Sequence, residues 1–194
     1  MSFRIEEKLS INKNQILEFK DFLLKKKAIQ LFPPRKIRSL YFENFKDEMY
    51  NDSLEGILPR KKIRIRNYPH DKNLSIYLET KISSVENRYK IRKIIDEEKF
   101  NKIKKFGIYD YQYGTCRPLL YVTYNRQYYK IDDVRISIDE NIKYSLYSGR
   151  ELGYDYNSIV ELKASINKNR DDLINNFPFQ RTRFSKYCNA FEKI

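Results

Sequence analysis

KKIRIRNY, residues 61–68, alternates cation and isoleucine for most of its length. A strand sends alternate side chains to opposite faces, so this stretch puts Lys62, Arg64 and Arg66 on one side and Ile63 and Ile65 on the other. The same two-residue spacing recurs along the chain. Glu6-x-Lys8, Glu79-x-Lys81, Lys90-x-Arg92 and Glu161-x-Lys163 each flank a central residue, which is Thr80, Ile91 or Leu162 in the last three and Glu7 in the first. Collecting the charged side of every such strand gives Arg4, Glu6, Lys8, Lys62, Arg64, Arg66, Glu79, Lys81, Lys90, Arg92, Arg126, Arg135, Asp139, Glu161 and Lys163, eleven cations against four carboxylates. The opposite side carries residues such as Ile63, Leu78, Ile136, Val160 and Leu162. Two arrangements fit. Either the charged face is outside and the apolar face fills a barrel, or the charged face lines a wet tunnel and the apolar face packs under helices.

Working outward, strands are expected over residues 3–9, 36–43, 61–68, 73–83, 86–95, 118–131, 134–144 and 158–165. A helix is expected within 11–27, where Ile16, Leu17, Phe19, Leu23 and Leu24 keep helical spacing and Lys25 to Lys27 suit a C-terminus. Pro33-Pro34 is expected to break the chain. A short helix or turn at 45–56 closes at Gly56, a capped helix follows Asp96 and ends at Gly107, and the polar tail from Asn169 reads as helical. This is not the regular β-α alternation of a parallel sheet. The fold class is therefore α+β, an antiparallel sheet of eight strands in one domain over residues 1–194.

The 194 residues carry 39 Lys and Arg against 26 Asp and Glu, a net charge of +13 that favours polyanionic partners. Hydrophobic content of 41% excludes a disordered chain. Cys116 and Cys188 are too few for a disulfide framework or a zinc site, and the one histidine, His70, supports neither a histidine metal site nor a Ser-His-Asp triad. The N-terminus lacks the apolar stretch of a signal peptide, and no apolar run approaches the ~20 residues of a membrane span, so a cytoplasmic protein is expected. A mixed Arg and Lys lining suits a phosphate chain, and the carboxylates would hold Mg2+ or Mn2+, which prefer oxygen ligands.

In this order along the chain, Arg4-x-Glu6-x-Lys8, SLYFENFKDEMYNDSLEG with RKKIRIRNY, IYLETK, PLLYVTYNRQYY, VRISIDENI, IVELK and RFSKY together resemble the VTC (vacuolar transporter chaperone) polyphosphate polymerase domain, a CYTH-like triphosphate tunnel metalloenzyme. The resemblance implies an eight-stranded antiparallel tunnel with helices packed outside. ATP is its substrate, a divalent metal assists, and the γ-phosphoryl group passes to a growing polyphosphate chain. By motif match, Lys8, Arg64, Arg66, Lys81, Arg126, Arg135 and Lys186 would contact phosphates. Glu161 would hold the metal, and Ser185 would lie beside the phosphate path. Lys90, Arg92 and Lys163 join them as candidate cofactor contacts. Glu6 is either a second metal ligand or a salt-bridge partner of its neighbours.

Three positions depart from the pattern. Arg4 stands where CYTH hydrolases carry the first Glu of Glu-x-Glu-x-Lys, which disfavours a two-metal hydrolytic site. Ser53 stands where some VTC members are basic, and Glu43 where an Asp is usual. The eukaryotic relatives' membrane part has no counterpart in this sequence, so coupling to translocation would need a separate membrane protein. A non-catalytic polyphosphate sensor, a CYTH-type triphosphatase and, less favoured, a basic nucleic-acid-binding domain remain the alternatives.

Overall fold

The computed structural model describes residues 4–71, 75–85, 88–165 and 169–194. Parts of three expected strands (Phe3, Asn73 to Leu74, Glu86 to Asn87) and the side chain of Arg4 lie outside the described residues. In chain order the elements are β1 (Arg4–Ile11), α1 (Gln15–Lys25), β2 (Ile29–Glu43), α2 (Glu48–Glu55), β3 (Arg60–Asn67), β4 (Ile76–Ser83) and β5 (Arg88–Ile95). Then follow α3 (Glu97–Phe106), β6 (Ile108–Asp110), β7 (Gly114–Ile131), β8 (Val134–Leu146), β9 (Glu151–Tyr154), β10 (Ser158–Ser165), α4 (Arg170–Asn176) and α5 (Lys186–Phe191).

Eight strands form the main path β1-β10-β8-β7-β2-β3-β4-β5, with β6 paired to β7 and β9 to β8. The ladders β1–β10, β10–β8, β2–β3, β3–β4 and β4–β5 are all antiparallel. The fold is thus α+β with the expected eight-strand sheet. Among the described residues its hydrogen-bonded path ends at β1 and β5.

The chain divides into two compact units. One holds residues 1–35, 124–142 and 154–184; the other holds 36–123, 143–153 and 185–194. In the first, Leu9, Ile11, Val134, Ile136, Ile138, Val160 and Leu162 pack with Phe19 and Leu23 of α1 and Leu173 of α4. In the second, Leu40, Phe42, Ile63 and Ile65 pack with Met49 of α2 and Ile103 of α3. Within each unit the apolar strand face therefore lies under helices. That is the packing of the apolar face in the second of the two arrangements.

Local chemistry explains the helix ends. The Asp96 side chain accepts from Lys99 N at 2.7 Å, Glu97 and Glu98 open α3, and Lys104 and Lys105 close it, each charge matched to the helix dipole. Gly107 then turns at φ +85°, where an added Cβ would lie 2.5 Å from the Cys116 carbonyl oxygen. Gly107→Ala is expected to cost about 2–3 kcal/mol in chemical denaturation, because a Gly-only backbone region and a backbone clash coincide.

Several local expectations fail. Pro33-Pro34 does not break the chain but lies within β2, on a stretch that is largely exposed; proline is tolerated where no buried ladder needs its N–H. Leu17 and Leu24 do not join the core, at 69% and 75% exposure, since α1 buries only the narrower Phe19 and Leu23 stripe. The Tyr-rich stretch after Gly107, for which no element was expected, contains β6, β9 was not anticipated, and the tail forms the short helices α4 and α5 with non-helical chain between them. Ile91 is 48% exposed because β5 ends the sheet.

Candidate functional site

The charged faces gather two clusters, one in each unit, and they differ in charge. In the second unit the ladder registers build rows across one sheet face. Tyr41, Arg64, Glu79 and Arg92 form one row, Lys62, Lys81 and Lys90 the next, and Ser39, Arg66, Tyr77 and Ile94 another. Glu79 is wholly buried and is the hub. Arg64 donates to its Oε2 from Nε at 2.8 Å and Nη2 at 2.6 Å, and Arg66 Nη1 lies 3.9 Å from the same oxygen. Lys90 Nζ and Arg92 Nε approach Oε1 at 2.6 and 3.2 Å. Burial alone would raise the Glu79 carboxyl, but Arg64, Arg66 and Lys90 outweigh it and hold it well below the usual carboxylate range.

Tyr41 and Ser39 brace the two buried arginines from β2. Arg64 Nη1 donates to Tyr41 Oη at 2.8 Å, and Arg66 Nε donates to Ser39 Oγ at 3.1 Å. Burial would raise the Tyr41 phenol, yet Arg64 and Arg66 bring it below its ordinary value. Six cations thus share a face with one carboxylate. Such a surplus on fixed side chains is a standing attraction for an anion. Lys81 is exposed at the rim of this face, and Lys186 is half-buried on α5.

Ser185 has a structural task. Its Oγ accepts from Cys188 N at 3.3 Å as the cap of α5, and from Lys62 Nζ at 2.9 Å. Tyr187, on the same helix, donates to Glu43. Glu43 in turn accepts from Asn44 N, Met49 N and Tyr50 N at 2.9–3.1 Å, so it caps the start of α2.

The first unit holds the other three carboxylates of the charged faces, Glu6, Asp139 and Glu161. Arg126 grips the buried Asp139 with Nε to Oδ1 at 2.5 Å and Nη2 to Oδ2 at 2.7 Å, and its Nη2 lies 3.6 Å from Glu161. Lys163 Nζ reaches Glu161 at 2.9 Å and Glu6 at 3.9 Å. Lys8 Nζ lies 3.8 Å from Glu6 and donates to the Phe184 carbonyl at 2.7 Å. Lys8, Arg126 and Lys163 here pair with Glu6, Asp139 and Glu161. Arg135 is exposed, opposite Lys163 in the ladder. Tyr124 is buried, with the Arg126 guanidinium 5.3 Å from its ring centre.

Burial first, and then the neighbouring Glu161 charge and hydrogen bond, raise the Glu6 carboxyl. Two carboxylates that cannot comfortably ionise together would both be stabilised by a divalent cation. Among the described residues no group of three or more His, Cys, Asp or Glu forms a metal set. The Glu6–Glu161 pair nonetheless fits Mg2+ or Mn2+, which are commonly held by one or two carboxylates with phosphates and water completing the shell. The thiols take no part: both cysteines are buried, and burial pushes Cys116 up to about 12.

The structure therefore brings Arg64, Arg66, Lys81, Lys90 and Arg92 onto one face, and Glu6, Lys8, Arg126, Glu161 and Lys163 into one cluster. Sequence reasoning placed Glu79 and Asp139 on the charged face without an individual role, and left Tyr41, Ser39 and Tyr187 out of the site. The signal for Tyr41 and Ser39 was present, since they alternate with Leu40 and Phe42 as Arg64 and Arg66 alternate with isoleucine.

No curated protein sequence matches the chain. The structure is similar to a candidate adenylate cyclase of Bacillus halodurans, with TM-score 0.65 and 12% identity over 98% of this chain and 97% of that one. It is similar to a Hippeastrum protein described by a dominant triphosphatase activity, with TM-score 0.65 and 14% identity over 98% and 96%. A Pyrococcus horikoshii protein matches with TM-score 0.61 and 18% identity over 99% and 100%. These likenesses establish the fold. The family model of the VTC domain matches residues 3–194, and the chain belongs to the VTC domain family.

Proposed function

We propose that this domain handles phosphoryl groups as a polyphosphate polymerase. ATP is the donor, a divalent metal assists, and a polyphosphate chain is the acceptor. A terminal oxygen of that chain attacks the γ-phosphorus. The bond from the γ-phosphorus to the β,γ-bridging oxygen breaks, and ADP leaves. The observation that carries the reading is the cation surplus around Glu79. Phosphoryl transfer needs positioning and charge stabilisation more than a covalent catalyst. Arg64 and Arg66, with Lys62, Lys81, Lys90 and Lys186, hold phosphate oxygens and stabilise charge on the departing diphosphate. Lys8, Arg126, Arg135 and Lys163 are the phosphate contacts of the first unit, and Arg92 contacts the nucleotide. Glu161 with Glu6 would hold the metal, which supplies further charge neutralisation when bound. A separate membrane protein would carry the product, with the domain on the cytoplasmic side. No helix among the described residues is long and apolar enough to cross a membrane.

A second reading is hydrolysis of a triphosphate, favoured by the fold likeness to the Hippeastrum protein. One assay separates the two. Purified protein with ATP and Mn2+ is expected to yield polymer ladders on gels with equimolar ADP per phosphate added. Free phosphate without polymer would establish the hydrolase reading instead, and tight tripolyphosphate binding without turnover would establish a sensor. Glu161→Gln is expected to cut turnover by about 100-fold, on the scale of losing one of two protein ligands, and to weaken Mn2+ binding in parallel.

A further inference from the structure

Beyond the phosphate contacts, the same sheet face carries an aromatic ledge. Tyr77 stands opposite Arg66 on one side and Ile94 on the other, one pleat along from the Arg64–Glu79–Arg92 row. The Arg92 guanidinium carbon lies 3.5 Å from the Tyr77 ring centre. Its Nη2 donates to Tyr68 Oη at 3.1 Å, and its Nε lies 3.2 Å from Glu79 Oε1. Tyr68 meets Tyr77 edge-on, with centroids 5.9 Å apart at 78°. The guanidinium is thus fixed at two nitrogens and covered on one face. The Arg92 side chain is still 39% exposed and the neighbouring Ile94 72% exposed.

We propose that the free face of Arg92, backed by Tyr77 and oriented by Tyr68, is the platform on which the base of a bound nucleoside triphosphate stacks. The inference rests on the phosphate-handling reading above and names where the nucleoside goes. Arginine planes and tyrosine rings are the usual supports for unpaired bases, and a pre-stacked guanidinium loses little entropy in serving as one. Adjacent side chains on one strand face are ~6.5–7 Å apart, so a base here lies within a nucleoside's reach of phosphates held at Arg64 and Arg66. A cation-rich edge strand by itself only guards against aggregation. That role requires neither an ordered guanidinium nor an exposed isoleucine beside it. A stack reads the π-face of a base and not its hydrogen-bonding edge, so adenine and guanine are accepted alike.

Titration calorimetry with tripolyphosphate, ATP and GTP tests this on the full chain. In wild type, ATP and GTP are expected to bind within about threefold of each other, since stacking is sequence-tolerant. Tyr77→Leu and Arg92→Lys, the latter keeping the charge beside Glu79, are each expected to lower the ratio of ATP to tripolyphosphate affinity by about tenfold. Equal weakening of ATP and tripolyphosphate in both variants would overturn the platform while leaving phosphate binding intact. Wild type that binds tripolyphosphate weakly or not at all would overturn the phosphate reading and the platform with it. A strong preference for one purine overturns the stacking mode.

Discussion

Glu79→Gln is expected to destabilise the protein by about 3–5 kcal/mol, the cost of leaving buried cations without their counter-charge. Glu79 is wholly buried, and Arg64, Arg66, Lys90 and Arg92 all approach it within 4 Å. Glutamine keeps the volume and one acceptor but removes the charge. The loss should show as a lowered denaturation midpoint. Added tripolyphosphate should then raise the midpoint of the variant more steeply than that of wild type, because the polyanion replaces the missing charge. A variant of wild-type stability would show that the cations are relaxed into solvent and that Glu79 is no hub. The pH dependence has a definite sign. The folded carboxyl is held below its unfolded value, so this contribution is present above the unfolded pKa. It is lost as pH falls below the ordinary carboxylate range towards the folded value.

Glu43→Ala is expected to cost about 3–5 kcal/mol by a different route, several hydrogen bonds to one buried carboxyl lost together. Two α2 amides, Met49 and Tyr50, and the Asn44 amide before the helix lose their acceptor, and the buried Tyr187 hydroxyl loses its partner. Since Tyr187 ties α5 to β2, proteolysis and hydrogen exchange should report loosening of residues 185–194 before the rest of the second unit. Tyr187→Phe should reproduce the α5 loosening at about 1.5–3 kcal/mol and leave α2 protected. Equal exposure of α2 and α5 in that variant would show that the two helices are not separately anchored. The pH sign is opposite to that of Glu79. Burial raises the Glu43 carboxyl in the fold, so its contribution is fully present below the unfolded pKa and lost as pH rises through the folded one.

Much of the sheet was legible because a strand has period two and each of its faces has one chemistry. KKIRIRNY could be read as β3 without any partner, and the charged pairs marked β1, β4, β5 and β10 equally well. Capping residues fixed α3, since Asp96 and Gly107 act on their own backbone neighbours. Pro33-Pro34 misled because proline's cost depends on whether its strand position needs an N–H, and that is set by neighbours distant in sequence. In the site, Arg64 and Arg66 announced themselves by alternation. Glu79 shares their pattern, yet its role as hub depends on four cations from β3 and β5 converging on it, which no local pattern encodes.

The sequence by itself determined which residues share a strand face, that cations outnumber carboxylates on those faces, and, through its ordered motifs, the family. Only the tertiary structure decided that the apolar faces lie under helices. It also separated the charges, gathering six cations around Glu79 in one unit and pairing Glu6, Asp139 and Glu161 with Lys8, Arg126 and Lys163 in the other. The reason is physical. Alternation is a property of one strand's own backbone, whereas the net charge of a site depends on ladder register between strands far apart in sequence, as the pairing of Arg4 with Ser165 illustrates.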